Sequence, residues 1–351
     1  MDQKQLQKTQ IYSLQKQIAA MEHEIEQLYA ERKALVMESE QLIMELLETA
    51  DTQPMQTGAY LTDLDKVMLA EAELPKSARV ACQGVEGSYS NQAAEQFFKK
   101  PEIQYYTHFE DVFRAVEDGS VDYGILPIEN STAGSVAQVY DLMRKHNFYI
   151  IKDTKVVVRH NLLTSVATTM EDLTDVYSHV QALDQCVKLR EAHRNITFHE
   201  YANTAMAAKF VAEQQNPHYA ALASAKCAEL YNMHILEKDV QDISGNATRF
   251  ICISKTPGFV KSANRISLCF TVPHRPGSLY HILHKFALNN LNLCKLESRP
   301  YPEKKFEYMF YLDIEGKPSD YQLRWLLNDL NSQLEYFKFL GYYDEMIVEE
   351  A

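Results

Sequence analysis

Apolar residues at Ile11, Leu14, Ile18, Met21, Ile25, Leu28, Leu35, Leu42 and Leu46 advance in alternating steps of three and four, the spacing of one face of a long helix. Arg32 and Ser39 occupy that seam where further apolar residues are due. The stretch from Thr49 to Gly58, with Pro54 inside it, ends the helix, and Leu61 to Ala72 reads as a second, shorter one.

From Arg79 the period changes. Short apolar runs alternate with amphipathic ones: Arg79 to Gln83 then Asn91 to Lys99, Ile103 to Thr107 then Phe109 to Asp118, and Tyr123 to Leu126 before a polar loop. A second set follows, with strands at Val176 to His179, Ile196 to Tyr201 and Tyr219 to Ala223, and helices at Gln181 to His193, Thr204 to Gln214 and Ser224 to Tyr231. Such alternation predicts parallel sheets in a layered α/β domain, and two blocks of it predict two lobes with a cleft between them. The chain crosses near Phe148 to Arg159 and returns near Ser244 to Ile253, which would set Glu129 and Thr248 facing each other across the hinge.

After a linker from Lys255 to Arg265 come a strand (Ile266 to Val272), a helix (Ser278 to Leu288), two strands (Leu291 to Arg299, Phe306 to Ile314), a helix (Asp320 to Gln333) and a strand (Tyr336 to Tyr342). This βαββαβ order is that of a ferredoxin-like unit. The expected organisation is a helical segment over 1–76, an α/β domain over 79–255 and the ferredoxin-like unit over 265–346.

A hydrophobic share of 46% with 24% charged residues describes an ordinary globular chain of 351 residues, long enough for two or three domains. A net charge of −13 argues against nucleic acid as a partner. Residues 1–78 hold 7 Lys/Arg against 14 Asp/Glu, so their −7 is about half of that excess and their outer face is solvated. The six cysteines form no CxxC pair and no cluster at metal spacing, as expected of reduced thiols in a cytosol. The N-terminus has no signal pattern and no apolar run is long enough for a bilayer, so a cytoplasmic location, with no membrane partner, is expected.

Candidate chemistry concentrates where strand-like runs meet turns, the place open α/β sheets put ligand groups. Leu126-Pro127-Ile128-Glu129-Asn130-Ser131-Thr132-Ala133-Gly134-Ser135-Val136 presents a carboxylate, an amide and hydroxyls before Gly134-Ser135 opens an expected helix, whose N–H groups would attract an anion. Gly84-Val85-Glu86-Gly87-Ser88-Tyr89-Ser90, Ser178-His179-Val180-Gln181-Ala182-Leu183 and Asn246-Ala247-Thr248-Arg249-Phe250 occupy similar junctions. Taken singly these are a capped loop, a core-edge histidine and a strand threonine. Together, in this order, they resemble the prephenate dehydratase family from about Arg79 to the C-terminus.

That resemblance implies a two-lobed fold similar to periplasmic binding proteins, and conversion of prephenate to phenylpyruvate for phenylalanine synthesis. Loss of carbon dioxide and hydroxide aromatises the ring, so the drive lies in the substrate and the protein must assist departure of the hydroxyl. A positioned acid contributes ~10²- to 10⁴-fold. The site must also anchor the pyruvyl carboxylate while leaving the ring carboxylate without a neutralising cation. Thr248 matches the threonine of the family's Thr-Arg-Phe motif and is implied to donate a hydrogen bond to the leaving hydroxyl, with Glu129 or His179 as proton reservoir. Asn130, Ser131, Ser178, Gln181, Asn203 and Thr204 are candidates to anchor substrate, Ser88 and Ser90 to form an anion nest, and Arg249 to pair with a carboxylate of substrate or protein. Neither a metal nor an organic cofactor is implied.

The first helix resembles that of an all-helical chorismate mutase, but Gln15 and Ile43 stand where that family has cations, leaving Arg32. The expectation is a degenerate mutase segment kept for dimerisation or packing; the alternatives are a coiled coil in which Arg32 sets register, and a bifunctional mutase–dehydratase. In the C-terminal unit Pro276-Gly277-Ser278-Leu279 and Leu296-Glu297-Ser298-Arg299-Pro300 resemble the signatures of the ACT regulatory domain, implying that phenylalanine binds as an effector between paired units, with Asn292 also in the site. Ser278 replaces the usual alanine. A homodimer or homotetramer is expected. A rival of a different class is a non-catalytic two-lobed amino-acid sensor.

Overall fold

The computed structural model describes residues 3–49, 62–304, 306–317 and 320–346. Residues 50–58 of the expected helix stop, and Leu61, lie outside these, as do the side chains of Ser39, Leu42, Ile43 and Leu46. Helix α1 (Gln3–Thr49) is continuous, and Ile11, Leu14, Ile18, Met21, Ile25, Leu28 and Leu35 stand about half exposed along it. Arg32 stays exposed but reaches across to a C-terminal helix: its guanidinium lies 4.1 Å from the centre of the Trp325 ring and 3.5 Å from Asp329. Helix α2 (Asp63–Met68) is shorter than expected. Thr62 and Asp65 cap its start reciprocally, and beyond it the chain turns to bond Phe259.

The chain then lays down β1 (Ser77–Gln83), α3 (Tyr89–Phe97), β2 (Lys100–Tyr106), α4 (Phe109–Asp118), β3 (Tyr123–Asn130), β4 (Gly134–Ser135), α5 (Ala137–Lys145) and β5 (Tyr149–Val157). It crosses into a second lobe as β6 (Asn161–Thr164), β7 (Asp175–Ser178), α6 (Val180–Asp184), α7 (Val187–Ala192), β8 (Thr197–Glu200), α8 (Thr204–Gln214), β9 (Tyr219–Ala223), α9 (Ala225–Leu230) and β10 (His234–Glu237). It returns as β11 (Ala247–Ser254), and β12 (Arg265–Thr271), α10 (Ser278–Leu288), β13 (Leu293–Pro300), β14 (Tyr308–Glu315), α11 (Tyr321–Gln333), β15 (Phe337–Tyr343) and β16 (Glu345–Met346) follow.

The first lobe's sheet runs β16-β5-β11-β3-β1-β2, with β4 folded back on β3; the second runs β10-β6-β9-β7-β8. Both are mixed rather than wholly parallel. The parallel cores are as expected, but the crossing strands β5, β6, β10 and β11 join them antiparallel. Three local expectations change as well. Strand β3 continues through Pro127, because a register shift against β11 between Arg249 and Phe250 accommodates a residue that cannot donate to the ladder. Gly134-Ser135 is a strand paired with Asn130 and Glu129, not a helix start. The helix expected over Gln181–His193 breaks at Gln185–Cys186, where the Asp242 carboxylate accepts from the Val187 and Lys188 N–H groups and so begins α7 from outside.

The C-terminal sheet, β13-β14-β12-β15, has the ferredoxin-like order. Its helical face forms one core with α10 and α11, and Met68 of α2 is fully buried there among Ile266, Leu268 and Leu327. From its other side Cys269, Met309, Tyr311, Leu340 and Tyr343 pack into the first lobe with Leu126, Tyr140, Met143, Phe148 and Ile251. Gly341 marks the closest approach: with φ at +154°, a Cβ there would collide with the backbone of Ile150 on β5. No described helix is long and apolar enough to cross a membrane.

Candidate active site

Between the lobes lies a cavity of about 450 Å³. Its first-lobe wall comes from the turn after β1 (Gly84, Ser88, Tyr89, Ser90) and from Pro127, Asn130, Gly134, Ser135, Thr248 and Phe250. The second-lobe wall comes from the ends of β7 and β8 and the helices that follow: His179, Gln181, Gln185, Asn203 and Thr204. Thus Thr248, His179, Ser88, Ser90, Asn130, Gln181, Asn203 and Thr204 come together as expected from the sequence.

Several of these are fixed by helix starts. Ser88 Oγ accepts from Asn91 N–H at the head of α3, and Asn203 Oδ1 accepts from Met206 N–H at the head of α8. At the head of α6, His179 Nδ1 accepts from Gln181 N–H at 3.3 Å, which assigns the remaining ring proton to Nε2. Burial holds the His179 imidazole below its usual pKa despite nearby Glu200, so it is neutral near pH 7.

Thr248 and Asn130 lie opposite each other in register on β11 and β3; they are neighbours in one sheet, not partners across the hinge. Asn130 Nδ2 donates to Thr248 Oγ1 at 3.0 Å. The amide cannot be the other way round, since its Oδ1 accepts from the backbone N–H groups of Thr132 (3.1 Å) and Ala133 (2.9 Å). With its oxygen already an acceptor, the Thr248 hydroxyl has its proton free for the cavity.

Four candidates do not line the cavity. Ser178 is fully buried and donates to Leu222 C=O, and Ser131 sits 3.2 Å from Asn246 Oδ1 and accepts from Ala247 N–H. Glu129 and Arg249, each one residue along a strand from a cavity residue, face the opposite side of the sheet by the period-two rule. Glu129 pairs with Lys295 at 2.9 Å, and Arg249 with Asp153 at 2.6 Å and Asp313 at 2.8 Å. Glu129 is therefore no proton reservoir for the cavity, and Arg249 is a protein-pairing residue rather than a substrate one.

Sequence reasoning missed His160, Gln185 and Asn246. His160 Nε2 lies 3.0 Å from Gln185 Oε1, which also accepts from Asn246 Nδ2 at 3.1 Å, joining hinge, second lobe and first lobe in one hydrogen-bonded set. Burial lowers the pKa of His160. Nothing in periodicity marked these residues: His160 and Asn246 sit in the irregular crossing segments, and Gln185 ends α6 at the break in the expected helix; Asn246 alone belonged to a recognised motif.

In the C-terminal unit, Gly277 takes a left-handed conformation (φ +82°) at the head of α10, with Pro276 and Ser278 around it and Leu279 against the core. Three of the other expected effector residues have protein partners. Glu297 accepts from Ser135 at 2.7 Å, Arg299 pairs with Asp141 at 2.9 Å, and Asn292 donates to Glu315 at 3.0 Å. Glu297 and Arg299 thus face the first lobe, on the inward side of edge strand β13, while Ser298 and Pro300 point outward.

Residues 80–258 match the family model for prephenate dehydratase. Among curated relatives, arogenate dehydratase/prephenate dehydratase 2 of Arabidopsis thaliana is 38% identical over 277 residues, covering 76% of this chain and 72% of that protein. The bifunctional chorismate mutase/prephenate dehydratase of Escherichia coli K12 is 30% identical over 371 residues, covering 95% and 96%. Among solved structures, prephenate dehydratase of Arthrobacter aurescens in complex with L-Phe superposes with a TM-score of 0.70 at 25% identity, over 76% of this chain and 90% of that one. GqqA, described as a novel type of quorum-quenching acylase, gives 0.69 at 29% identity, over 76% and 98%.

Proposed function

Because the chain belongs to the prephenate dehydratase family, we propose that it is a carbon–oxygen lyase that converts prephenate to phenylpyruvate, carbon dioxide and water for phenylalanine synthesis. The observation that carries this is the Asn130–Thr248 hydrogen bond, which leaves a hydroxyl proton aimed at the cavity. As the C–O bond breaks, Thr248 donates a hydrogen bond to the departing oxygen, the neutral His179 on the facing wall offers its Nε2–H as a second donor, and the departing hydroxide takes its proton from solvent to leave as water. Ser88, Ser90, Gln181, Asn203 and Thr204 bind the pyruvyl carboxylate and orient the ring. The described cavity wall carries no lysine or arginine, so a ring carboxylate there has no neutralising partner and its loss as carbon dioxide is not opposed.

Acyl transfer finds less support in this cavity. Nucleophilic catalysis needs a base hydrogen-bonded to the nucleophile, and among the described residues the bonds of His160 and His179 go to amide groups rather than to a hydroxyl or thiol.

The C-terminal unit serves as an ACT regulatory domain that binds phenylalanine near Gly277 and through it regulates turnover. The helical segment is a mutase remnant: Gln15 replaces a cation, and Arg32 is occupied by Trp325 and Asp329. Its exposed apolar seam pairs copies of the chain into a homodimer or homotetramer in the cytoplasm.

The deciding experiment supplies the purified protein with prephenate, arogenate and chorismate in turn and follows the aromatic product. Phenylpyruvate from prephenate, formed far more slowly but still measurably by Thr248→Ala, supports the assignment. Product from chorismate would restore a working mutase, and product from none would leave an amino-acid sensor.

A further inference from the structure

The hydrogen bond between Asn130 and Thr248 is one of two side-chain pairs at neighbouring positions of the β3–β11 ladder. The next pair in register, Glu129 with Arg249, points away from the cavity. Both of its members are held by the C-terminal unit. Lys295 of β13 lies 2.9 Å from Glu129 and also donates to Ser135, on the lip of the cavity, at 3.2 Å. Arg249 reaches Asp313 of β14 at 2.8 Å and the hydroxyl of Tyr343, on β15, at 2.8 Å; its Nε donates to Asp153 of β5 at 2.6 Å. Ser267 of β12 bonds both Asp313 (2.5 Å) and Tyr343 (2.8 Å), so every strand of the C-terminal sheet contributes to the grip.

This grip is needed where it acts. The ladder shifts register between Arg249 and Phe250, and Pro127 on the facing strand has no N–H, so the backbone alone fixes β11 poorly just beside Thr248. Asp153, Asp313, Tyr343 and Ser267 are all buried, which fixes the guanidinium far more firmly than an exposed ion pair does.

We infer that Arg249 and Glu129, through Asp313, Tyr343 and Lys295 of the C-terminal sheet, are positioning residues that set the Asn130–Thr248 hydrogen bond for dehydration. The C-terminal unit then acts on turnover through side chains directly behind the reacting hydroxyl. The inference rests on the dehydratase reading for its kinetic arm and is independent of it in its structural arm.

The test uses the full chain carrying Tyr343→Phe, Asp313→Asn or Lys295→Met, each alone and in a Thr248→Ala background. With prephenate, the single variants lower kcat about tenfold to a hundredfold while KM stays within about threefold, as expected when a reacting group is misplaced rather than a binding group lost. In the Thr248→Ala background the same changes produce no further fall, because the group they act through is gone. Arg249→Lys retains more activity than Arg249→Met. Hydrogen exchange supplies a readout free of chemistry: amides of residues 246–250 exchange faster in Asp313→Asn, while those of β7 and β9 do not change. Unchanged kcat in the folded single variants, an equal fall in both backgrounds, or unchanged exchange over 246–250 would each overturn the inference. Failure of the unsubstituted protein to turn over prephenate refutes the dehydratase reading instead, and the exchange measurement then still decides the positioning claim.

Discussion

Asn130 donates its side-chain amide to the Thr248 hydroxyl across 3.0 Å, and two backbone N–H groups lock that amide in the donating orientation. A hydroxyl is both donor and acceptor, and this contact fixes which it is: an acceptor toward the protein and a donor toward the cavity.

Asn130→Ala frees the Thr248 hydroxyl to rotate. The expected fall in kcat is about tenfold to a hundredfold, smaller than that of Thr248→Ala, and the double variant should be no slower than Thr248→Ala alone. Thr248→Ser keeps the hydroxyl and should retain more activity than Thr248→Ala. Phenylpyruvate formation from prephenate measures all four; an Asn130→Ala enzyme as fast as the parent would contradict the assigned hydroxyl direction.

Burial lowers the pKa of His160 below its usual 6.5. The unfolded chain therefore takes up a proton as pH falls through about 6.5 while the folded chain does not, so this residue's share of stability is complete above that pH and is lost on acidification. His179 shifts the same way. Melting temperature should drop as the pH falls below about 6.5, and the drop should be shallower in His160→Gln, whatever that variant's stability at pH 8.

At Gly341 any side chain would meet the backbone of Ile150. Gly341→Ala must push β15 away from β5 and is expected to destabilise by about 2 kcal/mol or more, since neither backbone can yield cheaply. Denaturant unfolding gives the number; a loss under about 0.5 kcal/mol would mean that the contact is looser than described.

The protein has a single tryptophan, Trp325, and Arg32 lies across its ring. Removing that cover exposes the indole to water, so Arg32→Ala should shift Trp325 emission to longer wavelength, with Arg32→Lys intermediate. An unshifted spectrum would place α1 away from α11 in solution.

Much of the α/β and ferredoxin-like order was legible, because each helix and parallel strand there carries its own period; the bounds of α4, α8, β9 and α10 coincide with those read from the sequence. What the sequence concealed was long-range. Pro127 signals a strand end locally, and only pairing with β11 carries β3 past it. Glu129 looked like part of the chemistry because it sits in a motif, yet strand alternation turns it to the far side of the sheet. Arg249 belongs to that far side for the same reason. By local pattern β3 ends at Leu126, so alternation along the sequence does not extend to Glu129. Met68, an ordinary helix methionine by pattern, completes the core of a unit that begins nearly two hundred residues later.

The sheet order also dictates a schedule for folding. Strand β16 closes one edge of the first lobe by pairing with β5, and Lys155 reaches Glu345 across 190 residues of chain. During synthesis the first lobe emerges long before its edge partner exists, so β5 waits with an open ladder while the second lobe and the ferredoxin-like unit are made. Closing that edge is a late, high-contact-order step, and β16 must have emerged from the ribosome before the lobe bearing Thr248 is whole.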